Sequence, residues 1–268
     1  MSEEFGQDRP AEAGSGSGTD VLVERRGPVL VIQLNRPRVR NALTRAMAER
    51  LAAAFTELDA RAELRLGVLT GTPPAFCSGM DLGAFARGER ASLPGRGFGG
   101  LTEQPPSKPL IAAVEGAAVG GGFEMVLACD MVVAADDAVF GLPELRRGLV
   151  AAAGGLLRLP RAIAPAVAME MALTGEPIDA QRAFALGLVN RVVAPGTALT
   201  AACELAEKIA AHADHAVLAS KGVLARVRDG ELADEYRSHR ELLSGILDSP
   251  GARAGAREFV RERPGGPR

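Results

Sequence analysis

Cysteine is scarce in the 268-residue chain: Cys77, Cys129 and Cys203 are an odd number at wide spacings. That argues against a disulfide framework and fits a reducing cytoplasm, the expected location. None of the three has a partner at metal-ligand spacing, so no metal site is expected. Net charge is scarce too. Thirty-one Lys and Arg against 33 Asp and Glu leave −2, no global reason to bind nucleic acid or a membrane surface. No stretch approaches the ~20 uninterrupted apolar residues of a membrane span; the best candidate, 110–135, is broken by Glu115, three glycines, Glu124 and Asp130. Residues 1–20 lack the cationic start and apolar run of a signal peptide and carry five acids, which a mitochondrial presequence avoids. With GSGSG at 14–18 they read as a disordered tail.

Several nucleotide and nucleophile signatures are also missing. There is no GxxxxGK[ST] phosphate loop and no GxSxG elbow, since Ser78 in FCSGM has no matching upstream glycine. GRGFGG at 95–100 imitates a dinucleotide fingerprint but has no strand before it and no helix after it, and reads as flexible loop. His212 and His215 lack a third ligand and read as solvated surface side chains.

What is present is an ordinary globular composition, 47% hydrophobic and 24% charged. VLVERRGPVLVIQLN reads as a hairpin around Gly27-Pro28. Thr44 is an N-cap candidate, and Met47, Leu51, Ala54, Phe55 and Leu58 then recur at helical spacing to about Ala60. Residues 64–71 form a buried strand running into the loop TGTPPAFCSGMDL, and 87–107 read as a mobile glycine-rich loop. Residues 108–116 are a strand, MVVAADDAVFG gives two more, and 143–163 give short helical pieces. Helical periodicity dominates from Pro165, with VNRVV strand-like and helices near 197–212, 214–228 and 231–247. No exact repeat is visible. The coarse reading is a strand-rich α/β core followed by a helical region.

Two glutamates stand out. Glu124 follows Gly120-Gly121-Gly122 at a helix start inside an apolar run, and Glu144 follows Pro143, a residue suited to a first helical position. Acids favour first turns for dipole reasons, which suffices for either one singly. Together, in apolar and glycine-marked contexts, they suggest paired carboxylates for acid/base work. Backbone N–H groups at helix starts can meet a substrate oxygen, and glycine lets it approach.

From about Val21 to Arg263 the chain resembles the crotonase superfamily, the enoyl-CoA hydratase/isomerase family. The matching segments come in family order: LNRPRVRNAL, LTGTPPAFCSGMDL, KPLIAAVEGAAVGGGFEMVLACDMVVAADDAVFGLPELRRGLV, MALTGEPIDAQRAFALGLVNRVV and AREFVRER. In motif detail the chain is nearest to enoyl-CoA hydratases and carnitinyl-CoA dehydratase-like members. It departs at Ala151-Ala152, where a Pro-Gly is common, at Leu156-Leu157, where Thr-Gln is common, and at Gly83-Ala84, where a lysine is common.

The resemblance implies an α/β spiral of repeated ββα units over 21–196 and a C-terminal helical trimerisation region over 197–268. It implies an oxyanion hole from the N–H groups of Met80 and Gly121. Glu124 and Glu144 would hold the water added to a 2-enoyl-CoA thioester, or lost in the reverse dehydration. Arg38, Ala42, Ser78, Asp81 and Leu82 would contact coenzyme A or substrate. The CoA phosphates would draw on Arg36, Arg38 or Arg40, with isolated surface arginines the alternative. Coenzyme A belongs to the substrate, so no separate cofactor is implied. A homotrimer or homohexamer is expected, with Arg261 or Arg263 reaching a neighbour's CoA or fraying into solvent. A double-bond isomerase or a carnitinyl-CoA dehydratase-like enzyme is the alternative within the family. A non-catalytic acyl-CoA binder, or a protease of the related spiral fold, for which no serine–histidine pair stands out, are the alternatives outside it.

Overall fold

The computed structural model describes residues 19–147 and 149–229. The tail through residue 18, the helix expected at 231–247, Arg261 and Arg263 lie outside the described residues.

Strands β1 (Val21–Arg26) and β2 (Val29–Leu34) form the expected antiparallel hairpin. Helix α1 (Arg45–Ala60) begins where the Thr44 hydroxyl accepts from the Met47 N–H, and it buries Met47, Leu51, Ala54, Phe55 and Leu58. Three strand–strand–helix units follow. The first is β3 (Leu66–Gly71), β4 (Ala75–Cys77) and α2 (Leu82–Ala86). A short antiparallel hairpin, β5 (Ser92–Leu93) and β6 (Gly97–Phe98), separates it from β7 (Leu110–Val114), β8 (Ala117–Val119) and α3 (Gly121–Ala128). The third is β9 (Met131–Ala135), β10 (Val139–Gly141), a 3-10 turn over Pro143–Arg147, and α4 (Gly155–Ala162). Then come α5 (Pro165–Thr174), β11 (Ile178–Asp179), α6 (Ala180–Ala185), β12 (Arg191–Val193), α7 (Ala198–Ala210) and α8 (Asp214–Asp229).

Within each unit the first strand joins a six-stranded sheet, ordered β1-β2-β3-β7-β9-β12, and the second joins a four-stranded sheet, ordered β11-β10-β8-β4. Neighbouring units pair in parallel in both sheets. This is the repeated ββα spiral, present in structure without any sequence repeat.

Both faces of the large sheet are buried, which explains its near-continuous apolar strands. Leu30, Ile32, Leu69, Ala112 and Val114 point into the main core with α1 and α3. Val29, Val31, Leu66, Val68 and Ile111 point the other way, onto Ala198, Ala202 and Ala206 of α7. Alanine at every fourth position lets that helix lie close. Its start is fixed by Glu115, whose Oε1 accepts from the Ala198 N–H at 2.8 Å and whose Oε2 accepts from the Gly196 N–H at 2.9 Å. The first C-terminal helix therefore covers the chain's own sheet.

The segment 87–107 differs from the loop expected. Its β5–β6 hairpin buries Phe98 and Leu101, and the Thr102 hydroxyl accepts from the Phe98 N–H at 2.9 Å. Two-residue strands among glycines are too short to leave a periodic signal. For the same reason β4 lies hidden in the Pro-rich stretch before Ser78, and β8 in the approach to α3.

Candidate active site

The site grows from two close backbone segments. Gly120 precedes α3 at φ +57°, ψ −133°, a conformation suited to glycine. Gly121 is then the first helical residue, so its N–H belongs to the group that a helix leaves without an intrahelical acceptor. The Phe98 ring packs against Gly121 so closely that a Cβ there would lie 2.6 Å from it. The second segment is held by Leu43, whose N–H donates to Gly79 O at 2.8 Å and whose carbonyl accepts from the Asp81 N–H at 2.9 Å. In that parallel bridge the intervening Met80 turns its own N–H away from Leu43. A Cβ on Gly79 would come 3.0 Å from Gly121 N, so the two segments are adjacent.

Glu124 lies one turn into α3 and is 3% exposed. Its Oε1 accepts from the Ala153 N–H at 2.7 Å and the Gly155 N–H at 2.9 Å. Burial pushes its carboxyl above the ordinary range; the Glu144 charge pushes the same way, while the two N–H donors and Arg158 oppose. Arg158 itself donates to Thr102 O at 2.7 Å, tying α4 to the Phe98 turn. Glu144 is half-buried, its carboxylate resting over Gly120.

All nine residues expected at the site, Arg38, Ala42, Ser78, Met80, Asp81, Leu82, Gly121, Glu124 and Glu144, line one cavity of about 680 Å³. Their settings differ. Asp81 caps α2 by accepting from the Ala84 N–H at 3.0 Å and pairs with Arg36 at 3.0 Å. Burial pushes its carboxyl up, but those partners outweigh it and hold it below the ordinary value. Arg36 also donates to Ala42 O. It is a brace between two loops, which corrects its candidacy for a CoA phosphate. Arg38 and Arg40 are exposed at the cavity wall. Next to Ser78, the Cys77 thiol donates to Asn41 O, and burial pushes it up to about 12, so it is no nucleophile at neutral pH.

The cavity also takes Phe85, Arg90, Ser92, Phe98, Leu149, Val150 and the backbone donor Ala153, none of which sequence reasoning singled out. Phe98 is the one large apolar residue inside GRGFGG, a signal that could have found it. The others come from segments without periodicity.

Among the described residues, no group of three or more His, Cys, Asp or Glu is placed to hold a metal, and no helix is long and apolar enough to cross a membrane.

Comparison with known proteins agrees with this fold. The sequence profile of the family described as enoyl-CoA hydratase/isomerase matches residues 24–265. A carnitinyl-CoA dehydratase of Salmonella arizonae is 40% identical over 248 residues, spanning 89% of this chain and 94% of that one. The crystal structure of an enoyl-CoA hydratase from Mycobacterium marinum superposes with a TM-score of 0.87 at 50% identity, covering 93% of this chain and 98% of the other. A carnitinyl-CoA dehydratase structure from Mycobacterium avium gives 0.76 at 42%, covering 90% and 97%. With ordered motifs, spiral topology and relatives in agreement, the chain belongs to the enoyl-CoA hydratase/isomerase family of the crotonase superfamily.

Proposed function

We propose that the chain hydrates a 2-enoyl-CoA thioester to the 3-hydroxyacyl-CoA, or runs the reverse dehydration. One observation carries this reading above the others: two carboxylates, Glu124 and Glu144, face one cavity beside two backbone segments that can offer N–H groups to a thioester oxygen. The N–H groups of Met80 and Gly121 polarise the thioester carbonyl, which makes C3 electrophilic. Both backbone donors of Glu124 fall on Oε1, which supports Oε2 as the oxygen that meets the water. Glu124 takes a proton from that water as its oxygen bonds to C3. The C2–C3 π pair moves toward the thioester oxygen as an enolate, and Glu144 gives its proton to C2. The proton on Glu124 then returns to Glu144 through the next water. Two neighbouring carboxylates favour holding one proton between them, which keeps one acid and one base in place.

The reading extends to fatty-acid and lipid metabolism, through the acyl-CoA substrate, and to a cytoplasmic location, supported by the free thiols of Cys77, Cys129 and Cys203. It also extends to a homotrimer or homohexamer. Supporting this are Leu157, Met169 and Leu173 on α4 and α5 and Leu224 on α8, all large apolar side chains left exposed by the single chain.

Incubation with 2-enoyl-CoA and 3-enoyl-CoA, followed by the conjugated thioester absorbance, tests the reading. Loss of absorbance with 3-hydroxyacyl-CoA formed supports it. Gain of absorbance from the 3-enoyl compound alone would make the chain an isomerase, and binding without turnover a carrier.

A further inference from the structure

The relatives carry two kinds of name, enoyl-CoA hydratase and carnitinyl-CoA dehydratase, and the acyl groups behind them differ by a permanent positive charge. We propose that this chain takes an uncharged, apolar acyl chain and rejects one carrying a quaternary ammonium. The inference rests on the hydratase reading for the position of the thioester, and on the cavity wall for the acyl group.

The wall beside the glutamates is the segment after the 3-10 turn, whose Ala153 N–H anchors Glu124. Leu149, Val150 and Ala152 of this segment line the cavity and are aliphatic, and Val150 is 61% exposed. On α2, Leu82 is 44% exposed and lines the same cavity. An alkyl chain laid against these side chains would cover them, with each methylene tightening binding about fourfold.

A trimethylammonium group has no N–H to donate. Its lost hydration is offset by aromatic faces or by a carboxylate at contact distance. Among the described residues the wall offers little of either. The chain has no tryptophan and a single tyrosine, Tyr236, outside the described residues. Of the phenylalanines lining the cavity, Phe98 is 5% exposed and packed on Gly121. The Phe85 ring already carries a cation, with Arg90 Cζ 4.1 Å from its centroid. The Asp81 carboxylate is committed to Arg36 and the α2 cap. That leaves the glutamate pair, where a fixed cation would weaken Glu124 as a base and compete with the water. Arg38, Arg40 and Arg90 add three positive charges to the same lining, suited to the anionic CoA end and repulsive to a cationic acyl group.

The test compares a matched pair of saturated thioesters that cannot be hydrated, 5,5-dimethylhexanoyl-CoA and 4-trimethylammoniobutanoyl-CoA, which share a shape and differ in charge. Calorimetry on the full-length protein is expected to give the neutral ligand about tenfold or more tighter binding. Arg90→Gln, which frees the Phe85 ring and removes one charge, is expected to narrow that ratio by about threefold to tenfold. Equal or tighter binding of the cationic ligand by the unaltered protein would overturn the proposal, as would an unchanged ratio in Arg90→Gln. Turnover is read separately with the matching 2-enoyl pair. A neutral preference in binding with neither enoyl compound hydrated would uphold the substrate class and defeat the hydratase reading.

Discussion

Glu115, just after β7, and Glu124, on α3, are both buried and both accept two backbone N–H groups. The distribution of those donors separates them. Glu115 takes one on each oxygen, from Gly196 and Ala198, and so is fully used in starting α7. Glu124 takes both on Oε1 and lines an open cavity shared with Glu144. A buried glutamate is thus no marker of catalysis by itself. What distinguishes the glutamate proposed to react is an anchored oxygen, a second oxygen left for the substrate side, and a second carboxylate near enough to raise its proton affinity.

The sharpest way to break the comparison is to remove charge at both places. Glu124→Gln and Glu144→Gln are each expected to lower hydration by ~10²–10⁴-fold with the fold retained. The double variant should cost far less than the product of the two, because both carboxylates serve one water. Single-turnover assays with circular dichroism check this, and near-normal turnover in either single variant removes the two-carboxylate account. Next in size is Gly121→Pro, which deletes a proposed oxyanion donor and presses a Cβ on the Phe98 ring; it is expected to cost ~10²–10³-fold or more in kcat.

Glu115→Ala should reverse the pattern. It strands the two N–H groups at the α7 start and is expected to cost about 1–3 kcal/mol of stability while leaving kcat/KM close to that of the unaltered protein. Denaturant titration beside the hydration assay decides; a large loss of turnover in the folded variant would make Glu115 part of the machinery.

The smallest effect expected is in pH dependence. Burial raises the Glu124 proton affinity in the folded chain, so its carboxyl favours folding below the ordinary glutamate value, and that contribution is lost as pH rises through the raised one. Glu124→Gln is therefore expected to melt at or above the temperature of the unaltered protein at pH 8, with the advantage shrinking as pH falls toward the ordinary glutamate range. The acid limb of kcat/KM should likewise lie above that range. A variant less stable at pH 8 than at pH 5, relative to the unaltered chain, would contradict the assignment.

Much of the fold and of the site is legible in the amino-acid sequence, for identifiable reasons. The hairpin at Gly27-Pro28, the Thr44 cap and the apolar face of α1 are signals confined to short continuous segments, and they fold as they read. The gathering of Met80, Gly121, Glu124 and Glu144 rests on ordered motifs, because no local rule brings the Ser78 turn beside α3; the parallel pairing of β4 with β8 does that. The hidden parts are those made by tertiary context. Phe98 is a core residue because Gly121 leaves room for its ring. Arg36 is a brace because Asp81, far along the chain, returns to it. The aliphatic wall at Leu149 and Val150 carries no periodicity and acquires meaning only from its place beside Glu124.

The most direct test is a crystal structure with a saturated acyl-CoA bound. The account predicts the thioester oxygen about 2.7–3.1 Å from both Met80 N and Gly121 N, with a water held between Glu124 Oε2 and the Glu144 carboxylate, over the carbon that corresponds to C3. A thioester oxygen distant from both nitrogens, or a Glu124 Oε2 turned onto a protein donor, would contradict it.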